Sequence, residues 1–483
     1  MKILRYLLPL LCFVSTSFQG QDLNNKAVQI LLKKQGLEGA SISYQLKNLN
    51  TGVVVSQLNP NLYLTPASVQ KIITTATAFE ILGPKYQYET ILSYDGTIDE
   101  SGTLHGNLYI EGKGDPSLGS SFFGDVPEAF TSKWIQEIKN CGIKKIEGSI
   151  VPFSSTFDQL GISPRWLAED LGSYYGAGSY GINIFDNRYT LYLKSGAVGS
   201  NPTILYTSPR QNYSFINKAT TVLTSSDSLF ILGAPFDNTR YILGIVPPNK
   251  EKISVKGDIS DPFAFLQTYM IDQLTLSGIS VLNKHAKDVQ IPSGRSVIFK
   301  HYSPPIEEII RVVNFSSHNL FADCLLKTLG EQCPNPFPGA SSFDKGSLVL
   351  SQFWNEQNIP FNSGLIVDGS GLAPGNKVSA SLLNQVLSYM YTKSKYKTEF
   401  IKTLPQAGKE GSVRNFGKGA QPNASILLKS GSMGGFRVKS YTGYITKGDT
   451  TYAVSILVNN YTISGREVTA LLDRFFNDLI KSL

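Results

Sequence analysis

Hydrophobic residues recur along this chain with two periods, one typical of helices and one typical of strands. Helical spacing appears at residues 24–35 and again at the end, in REVTALLDRFFNDLIKSL, where the apolar positions form one stripe. Alternation typical of strands appears in SISYQLKNL and GVVVSQL, which a turn at residues 50–52 separates. Near the C-terminus, SILLKSG, GFRVKSYTGYI and TYAVSILVNN predict an antiparallel meander.

The middle of the chain, residues 86–261, has a different pattern. Short alternating runs such as ETILSYDG and RYTLYLKSG are interrupted by glycine and proline, which predicts mainly β structure. Helical spacing returns in DPFAFLQTYMIDQLTLSG and SHNLFADCLLKTLG. A chain of 483 residues is too long for one ordinary core, so we expect more than one domain. Because helical and strand patterns occur at both ends, residues 21–85 and 262–483 are expected to form one discontinuous α/β (α+β) domain. Residues 86–261 would form an insertion of two small domains.

The N-terminal segment, residues 1–20, predicts a cleaved secretory signal peptide. Lys2 and Arg5 precede an apolar run that is too short to span a bilayer, and small and polar residues follow it. No other segment reaches about 18 consecutive apolar residues. We therefore expect a periplasmic or secreted protein without a transmembrane anchor.

Composition narrows the class of function. Hydrophobic residues make up 41% and charged residues 17%, as in well-packed globular proteins, and the formal net charge of +7 is scattered, which argues against nucleic-acid binding. Of the three cysteines beyond the signal segment, Cys324 and Cys333 form the only short-range pair. We expect no metal or cofactor, because metal-ligand spacing is absent around the histidines, which are His105, His285, His301 and His318.

A serine and a lysine three residues apart, Ser68 and Lys71, open a predicted helix. The same spacing recurs at Ser342 and Ser394, so it is weak evidence alone. Ser68 could simply cap the helix and Lys71 could reach solvent. However, a lysine in the first helical turn faces an unfavourable dipole, and burial would also disfavour its charge, so it could act as a base toward the serine hydroxyl.

Two further tripeptides follow in order along the chain. Ser317, His318 and Asn319 begin a predicted helix with the pattern S-x-N, and Lys429, Ser430 and Gly431 end a predicted strand with the pattern K-[ST]-G. Each could be dismissed alone as a helix cap or a strand end. Together with S-x-x-K, each on the expected element, they match the motif set of penicillin-recognising serine acyl transferases.

In these motifs, the chain resembles the D-alanyl-D-alanine carboxypeptidase/endopeptidase family of class C low-molecular-mass penicillin-binding proteins. Ser68 and Ser317 are far apart in the sequence, and the family carries a large insertion between the corresponding two motifs. Further matches are GKGDPSL at 112–118, DGSGL at 368–372 and LPQAGKEG at 404–411. The resemblance implies a penicillin-binding/serine β-lactamase-like domain, in which helices flank an antiparallel sheet.

The resemblance also implies roles for the motif residues. Ser68 would be the nucleophile and Lys71 its base, and Ser317 would relay a proton to the leaving amine with help from Lys429. Asn319 would hold the substrate amide, and the K-[ST]-G segment would bind the terminal carboxylate. Ser430 and Gly431 of that segment are assigned to substrate binding. The backbone N–H groups of Ser68 and Ser432 would form the oxyanion hole.

By the same resemblance, Asp170, Tyr175 and Met433 would line a pocket for the D-centre of a diaminopimelate side chain. The alternative is a surface acid with two packing residues. The implied substrates are peptidoglycan stem peptides, with β-lactam antibiotics as inhibitors. The competing interpretations are a β-lactamase or esterase with the same triad, and a non-catalytic wall-binding protein.

Overall fold

The computed structural model describes residues 26–124, 126–284, 290–361, 364–420 and 423–483. The predicted signal peptide lies outside the described residues. The α-helices are α1 (Lys26–Leu32), α2 (Lys71–Leu82), α3 (Ala129–Asn140), α4 (Pro262–Leu276), α5 (Ile306–Ser316), α6 (Asn319–Gly330), α7 (Ser342–Glu356), α8 (Ala380–Thr392), α9 (Lys397–Lys402) and α10 (Gly465–Ser482).

The strands fall into several separate sheets. They are β1 (Ser41–Asn48), β2 (Val54–Leu58), β3 (Glu89–Tyr94), β4 (Thr97–Ile98), β5 (Thr103–His105), β6 (Leu108–Gly112), β7 (Lys145–Ile146), β8 (Ile150–Ser154), β9 (Arg188–Lys194), β10 (Thr203–Ser208), β11 (Ser214–Asn217), β12 (Thr220–Thr221), β13 (Phe230–Leu232), β14 (Thr239–Leu243), β15 (Ile245–Val246), β16 (Ile253–Asp258), β17 (Ser280–Val281), β18 (Ser296–Tyr302), β19 (Ser425–Met433), β20 (Val438–Lys447) and β21 (Thr450–Asn459).

A five-stranded antiparallel sheet joins the two ends of the chain. Its order is β19-β20-β21-β1-β2, so the predicted hairpin near the N-terminus pairs with the predicted C-terminal meander. Helices α1 and α10 pack on one face, and α2, α5, α6 and α8 lie on the other. The middle strand β21 is therefore buried on both faces, which explains its almost continuous apolar run. The predicted fold class is confirmed.

The inserted region is mainly β, as expected, but it also contains α3. One core contains the sheets β18-β3-β6-β8 and β17-β7-β5-β4 together with α3 and α4. A smaller core lies among β9, β13, β14 and β16. The division of the inserted region into two small domains stays a prediction.

The strand pairing bears on where the insertion ends. Strand β18 pairs with β3, β17 pairs with β7, and α4 buries Leu266 and Met270 in the core that holds Trp134 of α3. All three elements lie after residue 261, the predicted boundary. We propose that the inserted region extends to about residue 302, because α4, β17 and β18 pack with it rather than with the five-stranded sheet.

The described helices and cysteines bear on membrane anchoring and on disulfide pairing. None of the helices in the described ranges is long and apolar enough to cross a membrane. The three cysteines of the described chain are free, so Cys324 and Cys333 are not bridged; Cys324 is buried in α6 and Cys141 is exposed.

Candidate active site

Ser68 lies in a short 3₁₀ helix, residues 67–70, directly before α2. The predicted helix is thus divided, with Lys71 as the first residue of α2. Pro66 and Gln70, rather than Ser68, occupy the N-cap positions of the two helices, and the Ser68 hydroxyl accepts a hydrogen bond from Lys71 Nζ at 3.0 Å. At the other two S-x-x-K positions, Ser342 Oγ accepts from the Asp158 backbone and Ser394 Oγ donates to Glu80. The geometry therefore singles out Ser68.

Lys71 is fully buried and makes two further hydrogen bonds. Its Nζ donates to Asn319 Oδ1 at 2.7 Å and to the backbone oxygen of Ser370 at 2.6 Å. Burial lowers the pKa of Lys71, and the charges of Asp323 and Asp368 oppose that shift. A lysine in this setting loses its proton more readily than an exposed one.

Two buried carboxylates beside Lys71, Asp323 and Asp368, were not assigned from the sequence. Asp323 of α6 accepts from the backbone N–H groups of Gly369 and Ser370. Asp368 accepts from the Ala373 backbone and from Trp166 Nε1. Burial raises the pKa of Asp323, and the charge of Asp368 raises it further. DGSGL marked Asp368 as notable, whereas a single acid inside the apolar helix α6 gives no motif.

The S-x-N motif lies at the junction of α5 and α6. Ser317 has a left-handed backbone, with φ of 60°, and α6 begins at Asn319, two residues later than the predicted helix start at Ser317. Ser317 Oγ accepts from Lys429 Nζ at 2.9 Å. Asn319 Nδ2 donates to the backbone oxygen of Tyr175 at 2.8 Å, while its Oδ1 accepts from Lys71. Asn319 therefore joins Lys71 to the loop that carries Tyr175.

The K-[ST]-G motif lies inside a strand rather than at its end. Strand β19 continues to Met433, so the predicted strand end at Gly431 is wrong by two residues. Any Cβ at Gly431 would overlap Ser440 Oγ and the Pro66 carbonyl, because β19 packs tightly against the segment before Ser68. Glycine is required by this close approach, which brings β19 beside the serine.

The other members of the motif are also held in place. Lys429 is fully buried, and burial, with a smaller effect from the charge of Lys71, holds its pKa well below the ordinary lysine value. Ser430 Oγ lies 2.8 Å from Ser412 Oγ. Ser412 follows directly after LPQAGKEG, but it is part of no motif that could have marked it in advance.

A cleft of about 500 Å³ opens above these residues. Ser68, Ser317, Asn319 and Ser432 line it, and the two buried lysines lie behind the first two hydroxyls. The predicted side-chain pocket is part of the same cleft, whose lining includes Asp170, Tyr175, Met433, Phe122, Arg188 and Phe436. Burial, followed by the charge of Glu169, raises the pKa of Asp170.

The arrangement defines a class of protein. Two serine hydroxyls face one cleft, each bonded to a buried lysine, and an asparagine bridges to the first lysine. This is the chemistry of a serine acyl transferase that works through a covalent intermediate and uses lysine rather than histidine as its base. Among the described residues, no cluster of His, Cys, Asp or Glu could hold a metal ion.

Comparison with known proteins identifies the family. The sequence profile of the D-Ala-D-Ala carboxypeptidase 3 (S13) family matches residues 24–479, and the chain belongs to that family. DacB, a D-alanyl-D-alanine carboxypeptidase of Haemophilus influenzae, is 26% identical over 463 residues, which cover 94% of this chain and 92% of that protein. A D-alanyl-D-alanine carboxypeptidase of an Actinomadura species is 23% identical and covers 90% of this chain and 80% of that protein.

Solved structures of one relative have the same fold as this chain. The crystal structure of penicillin binding protein 4 (dacB) from Haemophilus influenzae matches with a TM-score of 0.78 and 25% identity, over 94% of this chain and 98% of that chain. A structure of the same protein in complex with a β-lactam matches with a TM-score of 0.73, 24% identity and the same coverage. The predicted family is confirmed, and the protein is a serine-type hydrolase of the D-alanyl-D-alanine peptidase class.

Proposed function

We propose that Ser68 is the nucleophile of a peptidoglycan peptidase and that Lys71 is its general base. The observation that carries the proposal is the 3.0 Å hydrogen bond between Lys71 Nζ and Ser68 Oγ, made by a fully buried lysine whose pKa is lowered. Ser68 Oγ would attack the carbonyl carbon of the penultimate D-alanine. Its proton would pass to Lys71, and the serine ester would form as the next peptide bond breaks.

The neighbours of Lys71 support its role as a base. A neutral amine keeps two N–H donors and one lone pair. Asn319 Oδ1 and the Ser370 carbonyl can only accept, so they would take the two N–H groups. The lone pair would then be directed at the Ser68 hydroxyl, which is the orientation that proton removal requires.

We assign the second lysine–serine pair to the leaving group and the substrate carboxylate. Ser317 would pass a proton to the departing amine, and the hydrogen bond from Lys429 orients its hydroxyl. Lys429 and Ser430 would bind the terminal carboxylate, with Gly431 allowing the close approach of β19. The backbone N–H groups of Ser68 and Ser432 would stabilise the tetrahedral oxyanion. Water would release the acyl group.

Substrate choice is assigned to the far side of the cleft. We infer that Asp170, Tyr175 and Met433 receive the side chain of a diaminopimelate residue, with Asp170 facing its free ammonium. Their position in the same cleft as Ser68 supports this assignment over isolated surface packing. Both a terminal D-alanine and a D-alanyl-diaminopimelate cross-link present the bond that Ser68 would attack. Digestion of purified muropeptides followed by mass measurement distinguishes carboxypeptidase from endopeptidase products.

The proposed location is the periplasm or the exterior of the cell, after removal of the signal peptide at residues 1–20. The basis is the charged and apolar pattern of that segment. Peptidoglycan, the proposed substrate, lies in the same compartment. N-terminal sequencing of the protein recovered from that compartment checks the cleavage.

A labelled penicillin tests the catalytic assignment. The label should form a stable adduct on the peptide that contains Ser68, and Ser68→Ala should abolish it while the protein stays folded. A matched control is Ser394→Ala, at another S-x-x-K position, which should label normally. An adduct on Ser342 or Ser394, or no adduct on folded wild-type protein, would contradict the proposal. Rapid release of hydrolysed penicillin would instead support a β-lactamase.

A further inference from the structure

Residues 160–179, here called the pocket loop, carry Asp170 and Tyr175 to the cleft. The two ends of this loop lie side by side, because Ser179 donates its backbone N–H to the Gly161 carbonyl at 2.7 Å. Near its start it is attached to the DGSGL region, because Ser163 Oγ donates to the carbonyl of Val367, the residue before DGSGL, at 3.0 Å, and Trp166 Nε1 donates to Asp368 at 2.9 Å. The loop is therefore closed at its base and held at intermediate points.

A buried lysine that the mechanism does not use lies at this base. Lys327 Nζ donates to the carbonyl of Leu160 and to that of Ser179, each at 2.7 Å, so one ammonium binds both ends of the pocket loop. Asp158 Oδ1 lies 3.8 Å from the same nitrogen. Two of the three N–H donors of the ammonium are thus used on the loop ends, and the Asp158 carboxylate supplies an opposite charge beyond hydrogen-bond distance.

The surroundings of Lys327 make its charge expensive to bury. Its side chain is 0% exposed and lies beside the rings of Phe343 and Phe157, with Nζ at 4.5 and 5.5 Å from the ring centres. Burial lowers the pKa of Lys327 to about 8, and the charge of Asp158 opposes the shift. A buried ammonium is tolerated only when its donors are satisfied, so its contacts with the loop ends are strongly constrained.

Helix α6 holds the pocket loop at two places. Asn319, at the first residue of α6, donates to the Tyr175 carbonyl near the cleft, and Lys327, eight residues later, holds the loop base. Eight residues of α-helix span about 12 Å. The same rigid element thus sets both the position of Asn319 beside Lys71 and the position of the pocket loop.

We propose that Lys327 is a positioning residue that fixes the base of the pocket loop and thereby sets the recognition of the substrate side chain by Asp170 and Tyr175. The effect on recognition rests on the function proposed above for these two residues. The fixation of the loop itself does not. The two parts therefore have separate measurements.

The first measurement is amide hydrogen exchange of the full chain, resolved by peptide. In Lys327→Met, peptides within residues 160–179 should exchange at least tenfold faster than in the wild type, while peptides of β20 and β21 should be unchanged. The control is Lys402→Met, which makes the same change at an exposed position on α9. Unchanged exchange of the pocket loop in Lys327→Met would overturn the proposal.

The second measurement compares two substrates. For a peptide with a free ammonium on its side chain, Lys327→Met should lower kcat/KM at least tenfold, mainly by raising KM. For a simple D-alanyl-D-alanine thioester the loss should be several times smaller. If loop exchange rises and kcat/KM falls equally for both substrates, Lys327 still fixes the loop, but the proposed side-chain pocket is wrong.

A milder variant covers the case in which Lys327→Met does not fold. Lys327→Gln keeps N–H donors for the two carbonyls without the charge, so it should give loop exchange and KM values between those of the wild type and Lys327→Met. Melting curves and labelling by penicillin report folding of both variants. If neither variant folds, Lys327 supports the whole domain and the specific role is overturned.

Discussion

The inserted region and the cleft both bury charged side chains, but they satisfy them differently. In the inserted region, fully buried Arg240 bonds to Asp258 at 2.9 Å and also donates to the backbone oxygens of Asp237 and Thr239. In the cleft, Lys71 lies near two carboxylates, yet the hydrogen bonds of its Nζ go to neutral oxygens of Ser68, Asn319 and Ser370.

The difference distinguishes an ion pair that keeps its charges from a buried lysine that can gain and lose a proton. Burial raises the pKa of Asp258 to about 6, but Arg240 opposes the rise, so this carboxylate is ionised at neutral pH and the pair keeps one charge state. A guanidinium cannot give up its proton there. Among the residues that the structure describes, no carboxylate forms an ion pair with Lys71 at bonding distance, so burial lowers its pKa and both charge states are accessible. A catalytic base requires that freedom.

The largest effect is expected from Lys71→Arg, which gives the cleft a buried guanidinium like that of Arg240 in the inserted region. Lys71→Arg replaces an adjustable amine by a permanently charged guanidinium, so acylation by penicillin should fall at least about a thousandfold, or about 4 kcal/mol in activation free energy. Stopped-flow labelling measures the rate. Lys429→Arg keeps the positive charge that binds the carboxylate and should retain partial acylation. Equal, complete loss in both variants would contradict the separate roles of the two lysines.

Breaking the ion pair of the inserted region tests the opposite side of the comparison. Arg240→Met leaves Asp258 buried without its partner, so the free energy of opening of β9, β14 and β16 should fall by about 3–5 kcal/mol. Hydrogen exchange of these strands measures it. The double variant Arg240→Met/Asp258→Leu should recover part of the loss. Penicillin acylation below the melting temperature should change less than threefold, and a fall as large as the one expected for Lys71→Arg would end the distinction.

Asp170 sharpens the comparison, because it lies in the inserted region but faces the cleft. A charge-assisted contact with an ammonium contributes about 1.5–3 kcal/mol, so Asp170→Asn should lower kcat/KM for diaminopimelate peptides about ten- to a hundredfold. A simple thioester lacks the ammonium and should lose much less. Steady-state kinetics on the two substrates provides the test. An equal fall for both would point to a folding defect instead.

The smallest effect concerns the charge beside Lys71. Asp323→Asn removes a negative charge that raises the pKa of Lys71, while its amide oxygen can still accept from Gly369 and Ser370. In the proposed mechanism neutral Lys71 is the active form, and its fraction increases with pH. A lower pKa therefore moves the rising limb of the acylation rate to lower pH, by about one unit. A pH–rate profile of penicillin labelling measures it, and a shift to higher pH would exclude the assigned electrostatics.

Much of this site could be predicted from sequence because its chemistry lies in local patterns. S-x-x-K, S-x-N and K-[ST]-G each occupy one turn or one strand segment, and their order and elements identified Ser68, Ser317 and Lys429. The alternating and helical periods likewise predicted the hairpin, the C-terminal meander and α10, since those periods follow from which face each element buries.

Other parts depend on contacts between distant segments. Asp323 and Lys327 are single charged residues inside an apolar helix, and only the approach of residues 158–179 and 368–370 gives them partners. Helix α3 was missed because strand-like runs surround it. Strand β18 was not predicted, because its pairing with β3, across more than 200 residues of sequence, has no local sequence pattern.

The joining of β1 and β2 to β21 has a consequence for the order of assembly. Ser68 and Lys71 are synthesised early, but Lys429 and three of the five strands of their sheet come from residues 425–459. Contacts so distant in sequence form slowly, whereas the inserted region has its pairing partners at hand much sooner. Ser68 therefore acquires its full surroundings only when the last part of the chain has folded. A nascent or prematurely terminated chain would carry Ser68 without Lys429 and without most of the central sheet, and we expect it to lack peptidase activity.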